Sequence, residues 1–354
     1  MTVSIIIAVK TWQKNLEECV GKCRELDFSD FEILVLPDID IGTVPAVAKI
    51  LSTKGTVPIR IIPTGKVSPA QKRDIAMNYA RGEILAFLDD DAYPRKDWLK
   101  NAINNFGEPM VAAVGGPAIT AENDNVRQKA SGLVYQSPLV SGKYVYRYLP
   151  KRRIEVDDYP GCNFLIRKSI MQTLGGFNTK FWPGEDTKLC LEITRRLRKK
   201  IIYDPAVLVY HHRRPLFMSH AKQIANYALH RGYFVMRYPQ TSLRLPYFIP
   251  TLFLFSLIAG AIFSLFLIPI RIIYSLALIS YFSLVLIFSI SKESRFIPYV
   301  FSGIILTHIT YGFYFLKGLL AKKLLEEIGT VLVPNKQGLS PKGTVPKQLK
   351  GDCP

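Results

Sequence analysis

Short apolar runs rich in β-branched residues recur through the first quarter of the chain. Each has the length and composition of a buried parallel strand, and they lie at 3–9, 31–36, 59–62 and 83–88. Helical patterns separate them, one from about Leu16 to Leu26 and one that Ser68 and Pro69 begin and that runs to about Ala80. This alternation predicts an α/β fold whose mostly parallel sheet carries helices on both faces, with ligands at the carboxyl ends of its strands.

The pattern changes after Tyr247, where charged residues almost disappear. Three apolar stretches follow, at 247–270, 272–290 and 296–316. Each has about 20 residues, enough to cross a hydrocarbon core of roughly 30 Å as a helix. Three buried core helices are the alternative, which the uninterrupted apolarity around each helix disfavours. We therefore predict an α-helical transmembrane region of about three helices within 247–318.

The segments around this region differ in character. Residues 1–215 hold the α/β pattern and are predicted to form one domain. Residues 216–246 mix basic and aromatic side chains with apolar ones, which predicts an amphipathic helix in the headgroup layer. Residues 319–354 are basic and predict a flexible tail, cytoplasmic or extracellular. Three crossings would separate this Lys-rich tail from a cytoplasmic domain, against the tendency of positive segments to stay inside, so the topology stays open.

The formal charge of +18 fits either nucleic acid or an anionic membrane surface. The membrane is favoured, because basic clusters flank the apolar region and the sequence carries no zinc-finger or aromatic ribonucleoprotein signature. We therefore predict no nucleic-acid partner. The five cysteines show no paired spacing and no signal peptide is recognisable, so we expect an integral membrane protein whose N-terminal domain lies in the reducing cytoplasm.

Three consecutive carboxylates, Asp89, Asp90 and Asp91, follow the fourth predicted strand. Like charges this close repel strongly at low dielectric, and a divalent cation is the simplest counter-charge. Oxygen ligands favour Mg²⁺ or Mn²⁺, and such an ion can neutralise a departing diphosphate. By itself, the triplet fits a solvated acidic turn equally well.

The run from Arg81 to Pro94 around this triplet resembles the DxD segment of family 2 glycosyltransferases, which have the GT-A fold, a Rossmann-like α/β sheet. The resemblance implies that Asp89 and Asp91 bind a Mg²⁺ or Mn²⁺ cofactor. It also implies that Asp89 and Asp90 contact a nucleotide-sugar donor. The N-terminal domain would then be a catalytic domain.

The same resemblance implies further donor-binding residues. The first strand is similar to the family's first nucleotide-binding strand, although Val-Lys-Thr-Trp replaces its usual Pro-Thr-Tyr-Asn pattern. Val9 and Thr11 would then contact the donor. Asp38 matches the acidic residue that contacts the nucleobase, and Lys72 and Arg73 fall where the family carries a basic residue near the donor.

Three later segments resemble the acceptor side and the xED motif of the family, and they lie at 160–168, 174–178 and 182–189. By that resemblance, Asp186 is the base that takes the proton of the acceptor hydroxyl in an inverting single displacement. Glu185 would assist it, and Trp182 would lie on the acceptor side. Alternatively, Glu185 and Asp186 stabilise the N-terminus of a helix as acidic first-turn residues, and both roles can hold.

A strand pattern at 203–210 is followed by two histidines and two arginines. Because neighbouring side chains on a strand face opposite sides, at most one histidine readily joins the metal site, and we favour His211 over His212. His212, Arg213 and Arg214 would contact the acceptor or the diphosphate, unless the arginines bind lipid headgroups. The QxxRW motif of the processive members is absent from the sequence, which favours addition of one or a few sugars.

Together, these features predict an inverting, metal-dependent glycosyltransferase that moves a sugar from a nucleotide-sugar donor to a hydroxyl of a lipid-linked or membrane-proximal glycan acceptor. A polyprenyl-phosphate glycosyltransferase is the alternative, and it would need no base because a phosphate acceptor is already ionised. A receptor or scaffold built on an inactive transferase fold is disfavoured by the set Asp89, Asp91, Asp186 and His211. Membrane lipids are the remaining expected partner, and the sequence predicts no oligomeric state.

Overall fold

The structure, a computed structural model, describes residues 1–42, 44, 57–290 and 293–328. In chain order its strands are β1 (Val3–Ala8), β2 (Phe31–Leu36), β3 (Ile59–Ile61), β4 (Ile84–Asp89), β5 (Ala92–Pro94), β6 (Val111–Gly115), β7 (Ala118–Thr120), β8 (Ile154–Val156), β9 (Asn163–Arg167), β10 (Lys200–Tyr203) and β11 (Val209–His211). Eight of them form the main sheet, in the order β3-β2-β1-β4-β9-β6-β10-β8. Six of the eight point in one direction, while β8 and β9 run against their neighbours. The prediction of a mostly parallel sheet is confirmed, and the antiparallel β9 is an addition to it.

Helices on both faces of this sheet are α1 (Lys14–Arg24), α2 (Pro69–Ala76), α3 (Trp98–Asn104), α6 (Lys168–Leu174) and α7 (Glu185–Leu191). Two further helices, α4 (Val126–Gln136) and the short α5 (Pro138–Ser141), pack away from it, against the C-terminal helices. Alternate side chains of β1 enter two separate cores: Ile5 and Ile7 pack with α1 and α3, and Ile6 packs with α2, α6 and α7. This period of two is what a strand buried on both faces requires.

The predicted boundaries of β1 to β4 and of α1 lie within two residues of the observed ones. Two other predictions differ from the structure. The single strand predicted at 203–210 is wrong, because β10 ends at Tyr203 and β11 begins only at Val209. Helix α2 begins with the predicted Ser68 cap but ends at Ala76 rather than near Ala80. The chain leaves this helix through tighter turns, such as the 3.0 Å bond from Tyr79 N to Ala76 O.

A second, three-stranded sheet has the order β5-β11-β7. In it, β11 pairs antiparallel with β5, so that His211 lies opposite Ala92, and pairs parallel with β7. Because β5 begins three residues after β4 ends, the small sheet brings the end of β11 to the carboxyl edge of the main sheet. This pairing positions the site described below.

The C-terminal part is helical. Its elements are α8 (Met218–Arg237), the short α9 (Pro239–Ser242), α10 (Leu245–Ser264), α11 (Ile268–Ser289), α12 (Ile297–Leu319) and the short α13 (Leu325–Ile328). Three of these, α10, α11 and α12 with its preceding turn, are long and apolar enough to cross a membrane, as predicted. The helix expected at 216–246 corresponds to α8, and its place in the headgroup layer stays a prediction, as do the domain boundaries. Of the predicted tail, residues 329–354 lie outside the described residues.

Candidate active site

Two aspartates of the acidic triplet meet a distant histidine at the carboxyl edge of the sheet. Asp89 is the last residue of β4, Asp91 lies just before β5, and His211 ends β11. One ligand atom from each of the three lies within 4.8 Å of the others, and His211 Nε2 is 3.0 Å from Asp91 Oδ1. Two carboxylates and an imidazole are a donor set that fits Mn²⁺ or Mg²⁺. The structure thus brings together the three residues predicted to bind the metal.

The charges around this site explain why the pKa values of Asp91 and its neighbour Asp90 differ. Burial opposes ionisation of Asp91, but His211 and Arg214, whose guanidinium lies 3.2 Å from Asp91 Oδ2, outweigh it and lower the pKa of Asp91 to about 2. Asp90 points away to Gln13. Burial, together with repulsion from its two neighbours, raises the pKa of Asp90 to about 7. The pKa of Asp91 is thus low and that of its neighbour Asp90 is high. Such a difference is expected where several carboxylates share too few positive charges.

His212 lies outside this cluster. Its Nδ1 is 2.6 Å from Asp124 Oδ1 and its Nε2 is 2.9 Å from Glu18 Oε2. Burial opposes protonation, but these two carboxylates raise the pKa of His212, and their contacts with the ring tie α1 to the loop before α4. The role of His212 in binding acceptor or diphosphate stays a prediction.

Arg213 is buried beneath the metal cluster. A guanidinium can only donate, so its 2.9 Å contact with His211 Nδ1 puts the ring proton on Nε2, facing Asp91. Metal ligation through Nε2 requires the proton on Nδ1, and Arg213 would then have to give up this contact. A second guanidinium nitrogen donates to the Ala118 carbonyl. Arg213 therefore holds the His211 ring beside β7 in this arrangement, and binding of a metal through Nε2 would require Arg213 to rearrange.

Lys72 joins the ends of the first two strands. Its Nζ donates to the Val9 carbonyl at 2.7 Å and forms an ion pair of 2.6 Å with Asp38 Oδ1, while Thr11 follows β1 as an exposed residue. The side chain of Lys72 is 3% exposed. Lys72 thus fixes the predicted nucleotide-binding edge, and its ammonium is already neutralised by Asp38. Contacts of Val9, Thr11 and Asp38 with a donor stay predictions.

Arg73 links Asp89 of the candidate metal site to Glu185, the neighbour of the predicted base. Its guanidinium is 2.8 Å from Asp89 Oδ1 and 3.0 Å from Glu185 Oε1, and the side chain is 5% exposed. The distance between the two carboxylates is therefore set by one planar, rigid group. The donor side and the acceptor side of the predicted site form one continuous arrangement.

Glu185 and Asp186 form the first turn of α7. Asp186 accepts hydrogen bonds from its neighbour Thr187 N at 2.7 Å and from Gly161 N at 3.3 Å. Burial and then repulsion from Asp186 raise the pKa of Glu185 to about 7, and burial and then Asp158 raise the pKa of Asp186. A carboxyl whose pKa is raised towards neutrality is a stronger base than an exposed one. Both roles considered for this pair are compatible with the geometry.

Sequence reasoning missed a buried ionic network behind Asp186. Asp158 Oδ2 is 3.0 Å from Arg231 of α8 and 3.7 Å from Arg147, and all three side chains are less than a tenth exposed. Thr187 Oγ1 donates to Asp158 at 3.3 Å and accepts from Arg231 at 3.3 Å. The network holds the residue after Asp186 against α8. No local sequence pattern marks it, since Arg231 is one of several basic residues along α8.

Removing one member of this network should destabilise the fold. Arg231→Met leaves Asp158 buried with a weaker partner, and we expect the free energy of unfolding to fall by about 3 kcal/mol. Denaturant unfolding of detergent-solubilised protein, followed by tryptophan fluorescence, measures the change. Arg237→Met, an exposed residue on the same helix, is the control and should change stability by less than about 0.5 kcal/mol. Equal stability of the two variants would contradict a structural role for Arg231.

The remaining predicted site residues lie at the rim. Trp182 is 48% exposed and stands next to a cavity of about 50 Å³ lined by Pro183, Gly184, Asp186, Thr187, Tyr227, His230, Arg231 and Phe234. The Arg214 side chain is 59% exposed. Both are accessible to a ligand, Arg214 while paired with Asp91, and their acceptor or diphosphate roles stay predictions.

Comparison with known proteins agrees with this geometry. Residues 4–175 match the family described as glycosyl transferase family 2. A pre-mycofactocin glycosyltransferase of Mycobacterium tuberculosis is 31% identical over 149 residues, which cover 41% of this chain and 30% of that protein. The match thus spans less than a third of that relative's length. A second relative, the dolichyl N-acetyl-alpha-D-glucosaminyl phosphate 3-beta-D-2,3-diacetamido-2,3-dideoxy-beta-D-glucuronosyltransferase of Methanococcus voltae, is 23% identical over 246 residues, covering 66% of this chain and 74% of that protein.

A solved structure shares the architecture over most of the chain. It is the mannosyltransferase PcManGT from Pyrobaculum calidifontis, in complex with GDP-Man and Mn²⁺. The TM-score is 0.60 at 19% sequence identity, and the match covers 91% of this chain and 88% of that one. At this low sequence identity, the structural likeness establishes a shared fold and nothing further.

Proposed function

Residues 4–175 form a glycosyl transferase family 2 domain on a GT-A fold, and from this premise we propose that the chain is an inverting, metal-dependent glycosyltransferase that uses a nucleotide-sugar donor. The observation that carries the proposal is the meeting of Asp89, Asp91 and His211 at the carboxyl edge of the sheet. It is supported by the solved relative of the same fold, which binds GDP-Man and Mn²⁺. A bound Mn²⁺ or Mg²⁺ would supply positive charge to the diphosphate.

The protein's own residues provide the base. In the proposed reaction the acceptor oxygen attacks the anomeric carbon of the sugar, and the bond from that carbon to the diphosphate oxygen breaks. The proton of the acceptor hydroxyl passes to the Asp186 carboxylate, and the configuration at the anomeric carbon inverts. Glu185 and Arg73 hold Asp186 next to the donor side, because Arg73 contacts both Glu185 and Asp89.

We further propose that the acceptor is a hydroxyl of a lipid-linked or membrane-proximal glycan. Two observations support this acceptor class. The helices α10 to α12 are apolar enough for a membrane, and the name of the Methanococcus voltae relative specifies a sugar carried on dolichyl phosphate. The alternative acceptor is bare polyprenyl phosphate. Because its phosphate is already ionised, it needs no base, and Asp186 would then have no catalytic role.

The pKa of about 7 at Glu185 predicts how activity depends on pH. Below it, the coupled Glu185–Asp186 pair holds a proton and accepts another poorly, so kcat should rise with pH with an apparent pKa near 7 that belongs to the pair. Steady-state rates across the neutral range at saturating donor measure the profile. Glu185→Gln should shift the inflection to lower pH, because the pair then carries one negative charge instead of two. A profile that is flat through neutral pH would contradict a base in this pair.

The function is tested with purified full-length protein and a panel of nucleotide sugars. Release of nucleoside diphosphate is measured with Mn²⁺, Mg²⁺ or a chelator, in the presence of either a sugar-bearing polyprenyl phosphate or bare polyprenyl phosphate. We expect metal-dependent release with one donor and the sugar-bearing lipid, and a product of inverted configuration by NMR. Transfer to bare polyprenyl phosphate at an equal rate would support the alternative acceptor. Metal-independent transfer, or a product of retained configuration, would overturn the proposed mechanism.

A further inference from the structure

The helix α12 differs from the two other apolar helices in what it touches. In its most apolar window 33% of the residues are buried, against 11% in α10 and in α11. It lies side by side with α8: His220 Nε2 is 2.9 Å from Thr307 Oγ1, and further along, Gly318 lies against the Leu229 carbonyl, where a Cβ would come within 2.0 Å. Thr307 and Gly318 are about 16 Å apart along a helix, so the contact is long and close.

Both ends of α12 rest on the catalytic domain. At its start, Val300 packs in one apolar cluster with Ala130 and Val134 of α4. Beyond its end, Leu324 packs with Phe181, which precedes the acceptor-side Trp182. A helix that crosses a bilayer has its two ends on opposite sides of a hydrocarbon core of roughly 30 Å. Two ends attached to one polar domain cannot satisfy this condition.

The partner helix α8 is too polar to accompany α12 into hydrocarbon. It exposes Lys222, Gln223 and Asn226, and it contributes Arg231 to the ionic network behind the candidate base. Charged and amide side chains at the centre of a bilayer cost several kcal/mol each unless they are paired. Since α12 is fixed to α8, the two helices share one depth relative to the membrane.

Unlike α12, the hairpin of α10 and α11 is attached to the catalytic domain at one end only. Its arms of 20 and 22 residues are about 30 and 33 Å long, which matches the hydrocarbon thickness. The base is attached to the catalytic domain, where Arg244 is 2.6 Å from Asp157 and the hydroxyls of Tyr247 and Tyr144 are 3.0 Å apart. The tip is free, with Phe266 75% exposed. Arg271 lies near the tip, where a charge is tolerated if it reaches the headgroups of the far leaflet.

We propose that only the α10–α11 hairpin crosses the membrane, and that α12 lies flat in the headgroup layer on the side of the catalytic domain. Two crossings return the chain to the side it left, so the segment after α12 shares the compartment of the catalytic domain. Lys317, Lys322 and Lys323 would then face anionic lipid headgroups at that surface. The Lys-rich tail stays with the catalytic domain, in agreement with the distribution of positive charge that three crossings would violate.

Depth measurements on two matched positions test the flat orientation of α12. The base of the hairpin lies against α12, where the Tyr281 hydroxyl is 3.0 Å from His308 Nδ1, so the test position in α11 has to lie closer to the tip. Ile273 meets this condition and Ile309 lies near the midpoint of α12, and they are 67% and 43% exposed. Each is replaced by a spin-labelled cysteine in the full chain, reconstituted in vesicles of phosphatidylcholine and phosphatidylglycerol. Accessibility to oxygen and to a polar nickel reagent reports the depth. We expect the label at 273 to lie deep and the label at 309 to lie at headgroup level, whereas equal depths would overturn the proposal.

The side of the tail is tested with the native Cys353 and a membrane-impermeant maleimide. The four other cysteines are buried or half-buried, and Cys353→Ser reports their background labelling. In that background, Glu83→Cys marks the side of the catalytic domain, because Glu83 is exposed and lies at the edge of the sheet opposite the metal cluster. We expect Cys353 and Cys at position 83 to react in the same vesicle orientation. Reaction in opposite orientations would show a third crossing and overturn the proposal.

Discussion

Asp186→Asn is expected to lower kcat by about 10²–10⁴-fold, the usual contribution of a positioned general base. The amide keeps the shape of the side chain and can still accept from Gly161 N, but it cannot take a proton from an acceptor hydroxyl. The donor contacts the other end of the site, so its binding should change little. Transfer of labelled sugar gives kcat, and calorimetric titration with the donor and Mn²⁺ gives the affinity.

Two comparisons make this result specific. Asp97→Asn makes the same replacement of a carboxylate by an amide, but in a surface ion pair with Arg95. This control variant should keep normal turnover. Hydrolysis of the donor by water, measured without acceptor, separates loss of the base from loss of the donor site. If Asp186→Asn transferred sugar at the normal rate, the base would have to be another group. If instead donor affinity fell in parallel with kcat, Asp186 would act in binding or folding.

The core strands were predictable because the sequence of each strand alone indicates that both of its faces are buried. β1, β2 and β4 are short apolar runs, and burial on both faces is the one situation that such runs fit. β9 begins with Asn163, buried and bonded to backbone carbonyls of two other segments, and nothing in its own sequence specifies an antiparallel strand between β4 and β6. Strand direction depends on partners far along the chain, which periodicity does not contain.

Some features of the candidate site were likewise predictable from the sequence, and others were not. The positions of Asp89 and Asp91 follow from the end of a predicted strand, and the resemblance to a family pointed to His211. The partners of His212, in contrast, are Glu18 and Asp124, which come from two unrelated segments. Long-range ion pairs of this kind leave no local pattern, because either partner alone looks like a surface charge.

The amphipathic helix α8 shows a limit of a different kind. Its mixture of apolar and basic residues shows that one face is buried, and the sequence led us to expect lipid on that face. In the structure, Ala228 and Val235 of that face pack against Phe315 of α12. An amphipathic pattern therefore establishes burial of a face but does not identify what covers it.

Replacing Asp91 by Ala should remove metal-dependent turnover. Asp91 contacts both His211 and Arg214, which lower its pKa to about 2. Loss of this ligand should cost several kcal/mol of transition-state stabilisation, so kcat/KM should fall by about 10³-fold or more. Manganese binding, followed by electron paramagnetic resonance of the free ion, should weaken in parallel.

The neighbouring Asp90→Ala variant separates a ligand effect from a general loss of negative charge. Asp90 points to Gln13 and lies outside the group of three, so this variant should retain manganese affinity within a few-fold although it removes a carboxyl from the same triplet. Circular dichroism should show the same helix content in both variants, because neither side chain belongs to the apolar cores. An Asp91→Ala protein that bound manganese normally would place the ion elsewhere, and the meeting of β4 with β11 would then have a purely structural explanation.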